Sequence, residues 1–528
     1  MNQNAAASSV YRKVGIASLI MMASVFLSRA VGLVREMVIA YVGGASAAVD
    51  AYQVAFVLPE ILNHIVASGF LSVTFIPIFS RYLVADRETE GWRVFSVILT
   101  GFGGALVALI AIAEYYTPEL VAIVAPGLKD PAVKAEAIRM TRIILPAQFF
   151  FFTGGMLTAV QFAKERFFIP ALAPLIYNLG IIAGGLLLGG QIGMTGFSWG
   201  VLAGAVAGNF LLQIWGARKV GMRFFTGVNL AHPELKNYIL LTLPLMLGLT
   251  MTFSTEFFLK FFGSFLPEGS IAALNYSLRV MLILVAFFGQ AVGVASYPFM
   301  AKMAVENKMG ELNRLLNSTL RYLGLVIPFS VLLMVLRYEV VRILFQRGQF
   351  TAADTTLTSD VLVFIMVGAI AFAAQTVVVR GYYAVSNTLF PALFGTIAVI
   401  LSLPVYYLGM RQMGPEGVAL AVSISAIFQV LLLYVLWNRR TANRESIAVY
   451  RFYIKMALLS VGIGAVLEAF RRLVLAGVDT TSLLGSMGSA IICGALFFLL
   501  FVGAGYLFQI REIPEFLGKI TARISRKK

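Results

Sequence analysis

Long apolar runs separated by short polar connections set the pattern of this chain. Stretches such as IASLIMMASVFL (16–27) and VLLMVL (331–336) show no alternation of polar and apolar positions. That excludes the strands of an outer-membrane barrel. Crossing the hydrocarbon of a bilayer takes roughly 20 apolar residues of α-helix. Read at that length, the pattern predicts about fourteen spans. They start near Val14, Ala51, Val94, Ala137, Phe168, Ile192, Tyr238, Ile271, Leu315, Thr358, Leu389, Gly417, Arg451 and Leu483. The expected fold class is an all-α polytopic membrane protein. The longest connections, over 114–136, 216–236, 300–314, 337–358 and 438–451, are too short for a soluble domain. The amino terminus, MNQNAAASSVYRK, is short and polar, and Arg29 interrupts a signal-peptide reading of the first run.

Composition narrows the class further. Of 528 residues 59% are hydrophobic and only 12% charged, with a mean hydropathy of +0.88. Soluble domains carry about 25% charged residues, so a soluble enzyme, a disordered chain and a nucleic-acid-binding domain are excluded. One cysteine, Cys493, leaves no internal disulfide, and two histidines, His64 and His232, make a metal site implausible. The net charge of +16 belongs to loops rather than to a nucleic-acid surface. Sorted by loop parity, Lys and Arg are about three times as frequent on the side of the termini. Both termini are therefore expected in the cytoplasm.

The two halves overlay at one offset. Pro77 matches Pro298 (298 − 77 = 221), and Arg81 matches Lys302, Arg93 Arg314 and Gly127 Gly348 at the same spacing. IPAL (169–172) matches FPAL (390–393), Gly196 matches Gly417, and Arg218–Lys219 match Arg439–Arg440. Each unit has about six spans, an even number, so a parallel pseudo-twofold along the membrane normal relates them. The expected organisation is an N-lobe over 1–220, a C-lobe over 221–441, and an added helix pair with a basic tail over 442–528. Two lobes rocking around a central cavity is the usual use of this arrangement.

Charges inside apolar runs are the candidate chemistry, since each costs about 2.5–3.5 kcal/mol at the bilayer centre. Arg29, Arg35, Arg139, Arg142, Lys260 and Arg279 fall there. Arg29 and Arg279 sit deepest, with no acid nearby in sequence, and are read as anion-binding. Arg35 is followed by Glu36 and lies about 120° around the helix from Arg29, with Gly32 between them to permit a bend. Glu256 and Lys260 are spaced for a helix pair, either self-neutralised or a coupling-ion site. Arg139 and Arg142, near a span end, read as snorkelling cations. Asn63 and His64 line the cavity or satisfy each other. Asp50 reads as a helix cap, and Thr351 with Asp354 as a capping box. No P-loop, GxSxG, HExxH or aspartate-rich motif is present, so neither an enzyme nor a cofactor is expected. Drive must come from a gradient or the membrane potential, the ion unspecified.

Several segments carry a family resemblance. SRAVGLVRE (28–36), VDAYQVAFVLPEIL (49–62), SGFLSVTFIPIF (68–79), RFFIPALAPLIYN (166–178), RGQFTAAD (347–354) and, more loosely, GYYAVSNTLFPA (381–392) resemble the MurJ (MviN) lipid II flippases along the whole chain. The resemblance implies the fold of the multidrug and polysaccharide exporters and outward movement of a lipid-linked peptidoglycan precursor across the bacterial inner membrane. By match, the family's functional arginines are Arg29, Arg35 and Arg279, Glu36 replaces an aspartate, and Asp50, Asn178 and Asp354 stand at matched positions. The family's second-span arginine pair is replaced by Asn63 and His64. The implied partners are lipid II, or a similar undecaprenyl-diphosphate-linked substrate, and membrane lipids, with no nucleic acid and the oligomeric state open between monomer and assembly. The alternative is a flippase of the same fold for another undecaprenyl-linked oligosaccharide. A cation-coupled multidrug exporter would favour carboxylates in its cavity, and a membrane-embedded transferase would need acids in a large outer loop.

Overall fold

The structure is a computed structural model describing residues 2–64, 70–227, 229–247, 250–510 and 512–514. Among the described residues every regular element is a helix. Among these residues ten helices are long and apolar enough to span a bilayer, and the pair Ala352–Val367 and Ala369–Ala384, bent by 41°, makes up to an eleventh, against the fourteen expected. The expected first span falls on Asn2–Gly43, a helix of 42 residues. The expected second falls on Ala47–Ala55, Val57–Leu62 and Phe70–Val84, and the seventh on Pro233–Leu247 and Thr250–Gly263. Both of these are interrupted by residues outside the described set, as is the basic tail at 515–528.

The repeat is written into the backbone. Among the described residues six non-glycine residues adopt positive φ, and two pairs among them stand 221 apart: Asp86 (58°) with Asn307 (56°), and Glu165 (57°) with Ser386 (58°). Gly193 (56°) with Gly414 (63°), and Gly221 (87°) with Ala442 (51°), repeat the spacing (414 − 193 = 221). The helices before Gly193 and Gly414, Phe168–Ile192 and Leu389–Met413, are also register-matched at both ends. Left-handed backbone is uncommon outside glycine. Its recurrence at one spacing means the connections share a geometry, and not the spans alone.

By packing, the chain forms two compact units, one of residues 1–269 with 348–350 and one of 270–347 with 351–528. Packing thus groups the helices after residue 220 differently from the repeat. In the first unit, Phe168–Ile192 and Thr195–Gly204 meet along a glycine seam. A Cβ on Gly184 would lie 2.5 Å from the Gly200 Cα, and one on Gly200 would lie 2.6 Å from the Gly180 carbonyl oxygen. Without a hydrophobic drive between helices in lipid, such close backbone approach supplies the association. An aromatic cluster of Phe75, Phe79, Trp92 and Phe95 fills the unit's interior nearby. Tyr238 of Pro233–Leu247 is fully buried against Phe102, so that helix belongs to this unit's core.

In the second unit the same close approach recurs: a Cβ on Gly409 would lie 2.5 Å from the Gly417 carbonyl oxygen. The bend at Gly368 is held by Ser423, whose Oγ donates to the Phe364 carbonyl at 2.6 Å and the Ile365 carbonyl at 3.1 Å. The terminal helices Ser446–Leu473 and Leu483–Leu507 are integral to this unit. Phe329 packs on Phe497 and Phe501. Glu339, 1% exposed, accepts from Ser489 and lies 3.7 Å from Arg471, and Cys493 is buried beside Leu336 and Leu475.

Candidate functional site

The Asn2–Gly43 helix continues through Gly32, so Arg29 and Arg35 leave it on different faces. Arg29 is exposed, and Arg35 turns inward with 22% of its side chain accessible. The helix therefore does not aim the two guanidiniums at one point. Arg35 donates from Nη1 to Asn178 Oδ1 at 3.0 Å and from Nη2 to Glu36 Oε1 at 2.6 Å. Asn178 is itself held, its amide donating to the Pro174 carbonyl one turn earlier at 2.9 Å. Its oxygen consequently faces Arg35, and the guanidinium is positioned from two helices with further N–H groups available to an anion. The phenols of Tyr52 and Tyr177 lie within electrostatic reach of Arg35, and Tyr177 also within reach of Glu60.

Glu60 leads to a second arrangement. Lys260, only 2% exposed, donates to Glu60 Oε2 at 3.2 Å, while Glu256 on its own helix stands 3.9 Å away. The sequence pattern pointed to the helix pair alone. The nearer carboxylate comes from a different helix, a partner that spacing cannot reveal. A buried ammonium needs its charge matched; Glu60 supplies the hydrogen bond and Glu256 a second, longer ionic contact. One turn beyond Glu60, the half-buried His64 donates from Nδ1 to the Glu60 carbonyl at 2.8 Å. Asn63 and His64 close the described part of this segment, and residues 65–69 lie outside it.

Asp50 is not the helix cap expected of it. The cap position is Ser46, and Asp50 sits in the first turn of Ala47–Ala55, 4% exposed. Its carboxylate accepts the backbone N–H of Gly269 at 2.7 Å. Gly269 has φ +82°, and a side chain there would strike the Ala45 carbonyl. Asp50 thus fixes a turn more than 200 residues away in sequence. The Thr351–Asp354 capping box is complete: Asp354 Oδ2 accepts from the Thr351 N–H at 2.8 Å and Thr351 Oγ1 from the Asp354 N–H at 3.2 Å.

In the second unit, Arg279 is half-buried on the Ser270–Val285 helix, most of which is buried. Sequence reasoning missed a companion. Arg380 lies inside Ala369–Ala384, half-buried, with a buried Nη1 that has no hydrogen-bond partner among the described residues. It lies against Gly293, where any Cβ would collide with that nitrogen, and the groups within electrostatic reach are Tyr297 and Tyr383. The signal was present: VVVRGYYA places the arginine before the end of an apolar run. Among the described residues no group of three His, Cys, Asp or Glu could hold a metal ion.

Comparison with known proteins places the chain among its relatives. The model of the family described as "Lipid II flippase MurJ" matches residues 39–486. The chain is 26% identical over 438 residues to the protein named "Lipid II flippase MurJ" of Burkholderia cenocepacia, covering 81% of this chain and 85% of that one. A solved lipid II flippase MurJ in an inward closed conformation aligns with a TM-score of 0.76 at 24% identity, over 93% of this chain and all of that one. A multidrug resistance MATE family transporter of the MOP superfamily, inward-facing, aligns at 0.62 and 14% identity, over 80% of this chain and 96% of that one, and shares the fold. With the matched model covering most of its length, the chain belongs to the MurJ family of lipid II flippases.

Proposed function

We propose that this chain moves lipid II from the inner to the outer leaflet of the bacterial inner membrane by alternating access, as a transporter and not an enzyme. The observation that carries the reading is the family match over residues 39–486. The chemistry of the arginines supports it. A diphosphate headgroup accepts paired hydrogen bonds from guanidinium, and Arg35 is held with donors to spare. Arg29, Arg279 and the unanticipated Arg380 extend the same chemistry, while the lipid's tail stays in hydrocarbon. In this reading both termini are cytoplasmic and no cofactor is used. The membrane potential drives export, since an anionic headgroup moving outward runs down an inside-negative potential. That is worth about 2.3 kcal/mol per charge per 100 mV.

The experiment is complementation of a bacterium depleted of its own lipid II flippase, scored by survival and by externally accessible lipid II. Rescue is expected, and Arg279→Ala is expected to abolish it while the variant remains inserted. Asn63 and His64, standing where the resemblance leads one to expect arginines, favour a second reading: a flippase for another undecaprenyl-linked oligosaccharide. An inserted, stable protein that fails to rescue would select it.

A further inference from the structure

A cavity of about 590 Å³ opens between the Pro131–Ile144 helix and the start of Thr195–Gly204, wholly within the first unit and apart from the residues assigned to transport. Arg139, Arg142 and Thr195 supply its polar lining, and Ile138, Ile143 and Trp199 its apolar walls. We propose that this pocket holds the headgroup of an anionic phospholipid of the surrounding bilayer, with the phosphodiester between Arg139 and Arg142.

Depth is the first argument. The helices Pro131–Ile144 and Ala147–Ala163 form a span of 33 residues. At 1.5 Å per residue that is about 50 Å, well beyond the roughly 30 Å of hydrocarbon. The charge-free stretch is 143–163, about 31 Å long. Hydrocarbon therefore begins near Ile143, and Arg139 and Arg142 stand at the level of lipid phosphates. Trp199, 47% exposed, lies where interfacial tryptophans gather.

Charge is the second. Arg139 Nη2 donates to Thr195 Oγ1 at 2.8 Å, which lays its side chain across the mouth between the two helices. Glu136 is 3.7 Å from Arg139, and Glu114 is within electrostatic reach of Arg142, but no carboxylate lines the pocket itself. Two planar forks above apolar walls match a phosphodiester whose glycerol and acyl chains continue down the helices. Choline would set a cation against them.

Native mass spectrometry of the detergent-purified full chain tests this, with phosphatidylglycerol and phosphatidylcholine as probes. Phosphatidylglycerol is expected to be retained preferentially. Arg139→Gln with Arg142→Gln should lower its occupancy roughly tenfold, the loss of charge-assisted bonds to one phosphate. Ile138→Trp, which fills the pocket without altering charge, should do the same. Lys129→Gln with Lys134→Gln, which removes equal charge from the same helix region outside the lining, should not. The proposal is overturned by wild-type retention in the arginine variant, or by an equal loss in the lysine variant. Binding of inorganic phosphate alone with the same dependence on Arg142 would reassign the pocket to a free anion.

Discussion

Lys260 carries the sharpest energetic consequence at the scale of single residues. Its ammonium is 2% exposed, whereas Glu60 and Glu256 keep 27% each. Removing one partner of a buried pair costs about 3–5 kcal/mol, mostly because the other charge is left uncompensated. The asymmetry in exposure decides which partner matters. Glu60→Gln leaves a buried ammonium with only the longer contact to Glu256, so it should be the more destabilising change, toward the low end of that range. Lys260→Met replaces the buried charge by an apolar chain of similar length and leaves two acids that water can reach. Thermal unfolding of both variants in detergent checks the order, and a larger loss for Lys260→Met would refute it. Burial cost had flagged Lys260, Arg35 and Arg279 in the sequence because charge in an apolar run is visible there. Their partners were not visible. Glu60 and Asn178 are 200 and 143 residues distant from the cations they hold, and only the fold brings them together.

At the scale of elements, the seam between Phe168–Ile192 and Thr195–Gly204 distinguishes two glycines of this helix pair, Gly200 within it and Gly190 outside it. Gly200 has backbone where a Cβ would go, and Gly190 has nothing within 4 Å. Alanine is intrinsically favoured over glycine in a helix by about 1 kcal/mol. Gly190→Ala should therefore be neutral or stabilising. Gly200→Ala must push the helices apart and should cost about 1–3 kcal/mol as overpacking. Thermal denaturation of the two variants separates the claims, and equal behaviour would mean the seam does not hold the helices together. Gly196, Gly200 and Gly204 stand four apart, the spacing of a close-packing face, a signal the sequence carries but which the span reading did not use. Apolar run length, by contrast, located the spans well because the bilayer imposes it. It marks the segments around Asn63 and Thr250 less sharply. Polar residues such as Asn63, His64, Glu256 and Lys260, placed mid-span for chemistry, blur the same signal that run length relies on.

For the whole molecule, the 221-residue repeat and the sign of the charges bear on how transport is driven. The positive-φ pairs show that the two copies share their turns, and parallel repeats commonly serve alternating access in transporters. Such a device has no preferred direction of its own, and the driving force must supply one. No nucleotide-binding motif is present, and the candidate ligands are guanidiniums rather than the carboxylates that would carry a co-transported cation. An anion carried outward is assisted by an inside-negative potential, whereas a proton gradient has no evident carrier among these arginines. Collapsing the potential with valinomycin in high external potassium should stop the appearance of external lipid II in a strain living on this chain. Collapsing only the pH gradient with nigericin should leave it nearly unchanged. Arrest by nigericin with the potential intact would transfer the role to a titrating group, and the Glu60–Lys260–Glu256 cluster would become the place to look for it.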